Sequence, residues 1–517
     1  MRPTFLAFQT ASRALAASKA HIDITGNNIA NVNTEGFTRQ RVDLSSISSS
    51  SYTQRYAVPG ATMGYGVEVS GITQTRDPFL DSRFRTQNAE AAQYDTLLKG
   101  LNDLEGIFDE IENAGLQSEM SNFINQLQIL SQSPTSADFA LVARTAAQKV
   151  TQILNIYSHQ TEQVREQQIF DLENVVIDND FNTTVKGIAS LNQQIREEVT
   201  HGNVPNELYD KRNLLIDKLS ALAPIRVTTQ PEKISEGLTI ENLNISLVDP
   251  TSGAAIGLVQ NGLFNTLTTT EKDGELRIQI NQSFGDAPKD ITAYITSGTI
   301  KGHLDLINGR GAYATGAQNT FRGTLYYKSA MDTFAGNFAE LMNNLNKVNP
   351  ADPADPEKPL FGTNDGTLVI TAGNIRISED WMKDPGHITT TRITSPSGGA
   401  DNILRMISAL NGKMDFRMDP ADPGSAVLFT GTTGEYLSGL SGELALDVEL
   451  NTNFSDTANN VLYTLSTSRD AISGVSLDEE GINLMAYQKS YNAAARYFTV
   501  LDEAVDKIIN GMGIVGR

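Results

Sequence analysis

SKAHIDITGNNIANVNTEGFTRQRV, residues 18–42, carries asparagine at positions 27, 28, 31 and 33, four in seven. The residues before it keep helical spacing, yet asparagine is a poor helix former. With a period of seven, Phe8, Leu15, Ile22 and Ile29 share one position, and Ala11, Ser18, Thr25 and Val32 fall three residues later. That is an a/d seam with large residues at a and small ones at d. On this register Asn27, Asn28, Asn31 and Asn33 take f, g, c and e, away from the seam. A water-bathed face favours Lys and Glu, whereas amides offer donors and acceptors with no charge to desolvate. The pattern therefore predicts a polar face packed against other protein, with Asn27, Asn28 and Asn31 as contacts between copies of the chain. The competing reading is an Asn-rich helix end running into a turn at Thr34-Glu35-Gly36.

The other end of the chain carries a longer seam. Leu477, Leu484, Tyr491, Phe498, Val505 and Met512 recur every seven residues, with Tyr487, Ala494, Leu501 and Ile508 three further on. Ser476 with Glu479 reads as a capping box, Asp478 to Glu480 place acid in the first turn, and Asn510-Gly511 marks the end. Neither helix buries its seam alone, and isolated helices are marginal in water. The economical arrangement packs the two on each other and joins the chain ends; the alternative has each cover a separate core. Charge agrees with a shared tip. Residues 1–34 and 475–517 balance to zero together, so the whole net charge of −21 lies in residues 35–474.

Composition excludes several classes. The acidic balance argues against nucleic acid, which needs Lys/Arg clusters. No window holds the roughly 20 apolar residues of a membrane span. Cysteine is absent, which removes disulfides, thiolate metal sites and cysteine nucleophiles. At the N-terminus FLAF is broken at once by Gln9, Thr10 and Ser12, so no cleaved signal is expected and any export takes another route. The five histidines, His21, His159, His201, His303 and His387, have no partner at i+3 or i+4, and His21 reads as a packing residue. No phosphate loop or nucleophile elbow is present. The acidic runs DLENVVIDND (171–180) and NPADPADPEKP (349–359) lack the spacing of a calcium loop. The first reads as a solvated helix face and the second as a rigid surface loop. We expect no catalytic residue, no cofactor and no metal.

The body reads as helix, then β, then helix again. Residues 43–57 are Ser-rich and loop-like, and VEV-SGI reads as short strands. Helical spacing runs from Gln93 to Ala221. After Pro224, Ile225–Val227, Asn244–Val248, Leu276–Ile280 and Ile291–Ile295 alternate or are β-branched, with turns at Asp249-Pro250 and Lys272-Asp273-Gly274. Helices return near 322–347 and 401–412. Asn364-Asp365-Gly366 fits a tight hairpin within 360–378. A long amphipathic helix carries Leu437, Leu440, Leu444, Val448, Phe454, Ala458, Val461 and Leu465 into the last seam. The fold class expected is mainly α with β, elongated and multi-domain. Its parts are a terminal coiled coil (1–35 with 473–517), a discontinuous helical domain (36–222 with 301–472) and a small inserted β domain (223–300).

GNNIANVNTEGFTRQRV (26–42) resembles the N-terminal signature of bacterial flagellar rod, hook and hook-associated axial proteins. GYGVEVSGITQTRDPFLDSRFR (64–85), LEGIF (104–108), ASLNQQI (189–195), PNELYDKRNLLIDKLS (205–220), NIRISEDWMKDP (374–385) and SGVSLDEEGINLMAYQKSYNAAARYF (473–498) are similar to successive segments of one branch, the hook–filament junction proteins. The similarity runs in order over most of the chain and is weakest across 225–300 and 415–435. Glu35 stands where the family often has Pro, Phe37 where it has Tyr, and MDPADPGS (418–425) has no counterpart. The resemblance implies a structural role without catalysis, by self-assembly into a tube or ring on the hook end. The implied partners are hook protein, the filament-side junction protein, the filament cap and flagellin region, and an export chaperone on the C-terminal helix. The implied location is the extracellular flagellum, reached by flagellar type III export without signal cleavage. The alternatives are a hook or rod protein, against which the long helical middle argues, and an axial scaffold carrying an adhesive or enzymatic β insert.

Overall fold

The computed structural model describes residues 6–47, 64–108, 115–235, 238–281, 288–347, 358–392 and 399–511. Most of the expected Ser-rich loop, the acidic run at 349–357 and seam position Met512 lie outside the described residues. In chain order the elements are α1 (Leu6–Ala30), β1 (Gln40–Ser46), β2 (Val67–Gln74), α2 (Pro78–Phe108), α3 (Leu116–Gln132), α4 (Ala137–Phe170), a π-helical segment (Asp171–Asn182), α5 (Thr183–Thr200) and α6 (Asn206–Leu222). Strands β3 (Ile225–Ser235), β4 (Leu238–Val248), β5 (Ala255–Gln260), β6 (Leu263–Phe264), β7 (Thr266–Lys272), β8 (Glu275–Asn281) and β9 (Lys289–Asp290) follow. Then come α7 (Thr299–Asn308), α8 (Thr324–Asn346), β10 (Phe361–Thr363), β11 (Ile375–Ile377), α9 (Glu379–Lys383), α10 (Asp401–Asn411), β12 (Met414–Arg417), β13 (Val427–Gly431), α11 (Thr433–Ser473) and α12 (Leu477–Gly511). The architecture is mainly α with small antiparallel sheets, elongated and in several parts.

Two antiparallel helix pairs set the long axis. The Phe8 ring of α1 meets the edge of Phe498 of α12 at 5.2 Å, Ser18 bonds Ser490 at 3.3 Å, and His21 stacks on Tyr487 at 4.3 Å. The first and last helices are therefore zipped in opposite directions. The same nesting recurs inward. Arg469 of α11 sits over Phe84 of α2, Asn459 bonds Asp95, and Phe454 packs on Tyr94. Helix α11 begins with a capping box that the sequence reading missed: Thr432 accepts from Glu435 N while the Glu435 carboxylate accepts from Thr432 N.

Two apolar cores lie beyond these pairs. The first gathers α2, α3, α4, α8, α10 and α11 around Phe123, Phe334, Phe338, Phe361, Trp381 and Phe416. Helix α8 is buried on most sides because it runs through the middle of this core, and it keeps polar residues such as Thr333 and Asn337 hydrogen-bonded within it. The second joins the π segment, α5, α6 and α7 to β4, β5, β7 and β8. Apolar packing thus crosses the expected boundaries at 223 and 300. The strands form a four-stranded sheet, β3-β4-β5-β6, and a three-stranded one, β7-β8-β9. Asp273 and Gly274 both take positive φ between the paired Lys272 and Glu275, the type I′ geometry that Asp-Gly favours. Gly100 and Gly302 mark where α2 and α7 cross: a Cβ at Gly100 would collide with Leu306, and one at Gly302 with Thr96.

The stretch 171–180 is corrected. Asp178 and Asp180 do face water, but Leu172, Val176, Ile177 and Phe181 are buried. Their spacing of four to five explains the π winding. On a 3.6-residue turn Leu172 and Phe181 would point to opposite sides; at roughly 4.4 residues per turn they share one face. That face seats β7, which Asn182 clasps by accepting from Leu267 N and donating to Leu267 O. Two smaller corrections follow. Residues 292–294 form a 3₁₀ turn, not a strand. Asp365-Gly366 does not close a tight hairpin: residues 364–374 join β10 to β11, and Asp365 instead accepts from Thr367 N in a local turn.

His303 of α7 is buried with Nδ1 unpartnered, and burial lowers its pKa to about 4, with Asp171 pulling upward and Lys99 downward. Its neutral form is favoured by folding, so the stability it lends is present above the ordinary value of 6.5 and is lost as pH falls from there through about 4, by about 3 kcal/mol in all. Denaturant midpoints of the full chain should fall across that window, and His303→Gln should flatten the fall. An identical slope in the variant would remove His303 as its source.

Candidate assembly site: the paired ends and their joint to the body

The seam of the terminal pair is turned relative to the expected one. Ala11, Ser18 and Thr25 are the buried line, while Phe8, Leu15, Ile22 and Ile29 are only half-buried. Small residues at d let the helices approach closely, so the contact centres on d and g and leaves the large a residues at its flank. On α12 Leu484, Tyr487, Ala494, Leu501 and Val505 are half-buried, whereas Leu477, Tyr491, Phe498 and Ile508 are exposed. Beyond Phe498, α12 runs past Leu6, the first described residue of α1.

Asn28 corrects the reading of the asparagines. It is 1% exposed and lies inside the chain. Its Oδ1 accepts from Gln40 N and its Nδ2 donates to Gln40 O, both at 3.0 Å, with Glu480 Oε2 3.3 Å from the same Nδ2. The cause is the β1–β2 hairpin, which covers the side of α1 that the heptad left open. Arg13 of α1 donates to Tyr65 O at 2.8 Å, and Gly66, at φ +89°, lies so close to Thr10 that a Cβ there would stand 3.2 Å from its methyl. A buried backbone edge needs partners, and the Asn28 amide supplies both. Asn31 donates to Asn27 O and Oδ1 and accepts from Thr34 Oγ1, so Asn27 and Asn31 tie off the helix end before Gly36, at φ +78°. Both remain partly exposed.

The joint to the body is polar. Arg39 spans it, with Nε to Glu480 at 2.8 Å, Nη1 to Glu479 at 2.9 Å and its backbone N to Ser473 O at 2.8 Å. Glu479 thus spends its carboxylate on Arg39, and Ser476 Oγ accepts only a long 3.4 Å bond from Glu479 N in place of a full capping box. Deeper in, Asp210 of α6 accepts from Thr38 N at 3.2 Å and Gln74 Nε2 at 2.8 Å, gripping both chain crossings of the hairpin. Burial raises the Asp210 pKa, and the bonds from Thr38 and Gln74 with the charge of Arg76 offset part of that. Arg469 completes the network at 2.6 Å from Asp217 and 3.7 Å from Asp81, which Arg76 also grips. A cleft of about 780 Å³ opens between residues 31–39, α2, α6 and the end of α11.

Such a site holds and orients. Among the described residues no group of three or more His, Asp or Glu is placed to take a metal, and no described helix is long and apolar enough to cross a membrane. The outer face of α12 is open, with Ile482, Met485, Tyr497 and Val500 exposed.

Comparison with known proteins agrees with this geometry. Residues 101–360 match the family model "Flagellar hook-associated protein FlgK helical domain", and residues 8–38 match "Flagella basal body rod protein". Flagellar hook-associated protein 1 of Bacillus subtilis is 30% identical over 100% of both chains. The protein of that name from Escherichia coli is 23% identical, covering 97% of this chain and 98% of its own. The flagellar hook junction protein FlgK from Burkholderia pseudomallei shares the fold with a TM-score of 0.55 at 12% identity, over 76% of this chain and 100% of its own. The chain belongs to the flagellar hook-associated protein 1 family.

Proposed function

We propose that this chain is a non-catalytic building block of the bacterial flagellum that assembles with its own kind at the junction between hook and filament. The observation that carries this reading is the antiparallel zip of α1 and α12, whose exposed apolar outer face suits a ring of like subunits. Many weak copies around a tube add up to a stability that one pair lacks. In this reading residues 1–35 with 473–517 form the assembling core, 36–222 with 301–472 the surrounding body, and 223–300 the outer β part. Asn27 and Asn31 contribute contacts between subunits from their exposed sides, while Asn28 acts within the chain. Hook protein lies on one side, the filament-side junction protein, cap and flagellin region on the other.

Export through the flagellar type III route and capture of α12 by a chaperone fit the same geometry. The residues of α12 left open in the monomer are an aggregation hazard that a holding partner would mask. A joint built of Arg39, Glu479, Glu480 and Arg469 around a cleft, with little apolar packing, lets the tip change angle against the body by exchanging ion pairs. A subunit between two tubes of different stiffness needs that freedom.

Three outcomes are expected. Cells deleted for the gene should complete hooks yet carry no filaments in electron micrographs; missing hooks would refute the junction role. Limited proteolysis of the purified monomer should trim the terminal helices before the body; early cuts confined to residues 120–220 would count against the scheme. Glu480→Ala leaves Arg39 half-paired and should cost on the order of 2 kcal/mol of local stability. Hydrogen exchange would then rise at residues 28–40 and 473–484 first. Uniform loss across the first apolar core would place Glu480 elsewhere in the energetics.

A further inference from the structure

A second cleft, of about 570 Å³, lies where α2, α6 and β3 meet. Four arginines line it, Arg76, Arg85, Arg212 and Arg226, against one carboxylate, Asp81. Asp81 is already gripped by Arg76 through both oxygens, at 2.7 and 3.1 Å. Arg85 turns its Nε to Asp217 at 2.7 Å, and its Nη2 is buried with no partner. Arg212 is 7% exposed, donates from Nη1 to Asn192 at 3.0 Å, and lies over the Tyr209 ring at 5.1 Å. Its Nε is also buried and unpartnered. Arg226, exposed on β3, makes no ion pair among the described residues.

These guanidinium groups repel each other across the cleft. Burial first, and then Arg85 and Arg76, pull the Arg212 pKa down to about 10, with Tyr209 and Glu241 opposing. Arginine stays charged regardless. A buried cation without a carboxylate bond is costly, and Arg212 is one: among the described residues its side chain's only hydrogen bond is to the Asn192 amide. In a chain of net charge −21 the long-range field repels anions, so a local excess of arginine here is not a general attraction for counter-ions. A phosphate- or carboxylate-bearing group matches the planar donor fork of arginine at two points.

We propose that the Arg85–Arg212–Arg226 cleft is a binding site for a small oxyanion of the phosphate or polycarboxylate class, which ties α2, α6 and β3 together. Arg212 and Arg85 form its floor and Arg226 its rim. The bound group balances the charges of Arg212 and Arg226, takes up the spare Nη2 of Arg85, and braces the β part against the helical body.

Inorganic phosphate titrated into the full chain by calorimetry, at fixed ionic strength with sodium chloride as the matched control, tests this. One saturable site is expected. Arg226→Glu, an exposed change that leaves the core untouched, should weaken it at least tenfold, as loss of a charge-assisted bond and its reversal imply. Arg212→Met should abolish it, and if that variant does not fold, Arg226→Glu decides. No saturable binding overturns the site. So does equal affinity in Arg226→Glu, or a phosphate effect on melting that grows linearly and equally in both proteins, the mark of general salt exclusion.

Discussion

A 25-residue helix and a 35-residue helix, each with one apolar line, do not persist alone in water. Their mutual burial, antiparallel from Phe8–Phe498 to Asn28–Glu480, is the constraint on which the rest of the molecule depends. It forces the two ends of a 517-residue chain to one place. Everything between must leave along one route and return along another. The pair α2 and α11 continues that double track inward, and the long rod of α4, π segment and α5 lies further along it. A nested order of this kind gives an elongated body with the paired chain ends at one end.

Two kinds of bonding divide the labour. The body is held by apolar cores, with aromatic side chains such as Phe334, Phe338 and Phe416 in direct ring contact. The joint is held by ion pairs and amide–backbone bonds, which are directional and, with Glu480 and Asp81 buried, costly to leave unpaired. Apolar packing resists bending because interiors are dense; a network of Arg39, Arg76 and Arg469 with Asp81, Asp217 and Glu480 fixes the angle between tip and body.

Much of this was legible in the sequence. The period of seven at both ends gave the zip because burial of one face leaves a periodic record. The alternation after Pro224, the helix around 324–346 and the Asp273-Gly274 turn were visible for the same reason. The facing direction of the asparagines was not. A heptad shows which side of α1 meets α12 but says nothing of a hairpin laid along the other side. Asn28 was therefore sent outward when Gln40, only twelve residues on, folds back onto it. The seam's rotation toward d escaped because close approach depends on small residues in three dimensions. The π winding could have been found, since Leu172, Ile177 and Phe181 sit five and four apart, a spacing that no α-helix buries on one face. The capping box at Thr432 and Glu435 was also there to see.

The natural chain has no cysteine, so a double variant, Ser18→Cys with Ser490→Cys, carries the only two thiols. The two hydroxyls stand 3.3 Å apart across the terminal pair. Mild oxidation of the dilute monomer should close an intrachain disulfide, found in peptide maps as a single link between the first and last helices. Free thiols throughout, or links only between separate chains, would mean that the ends do not zip within one molecule, and the architecture built on them would fall.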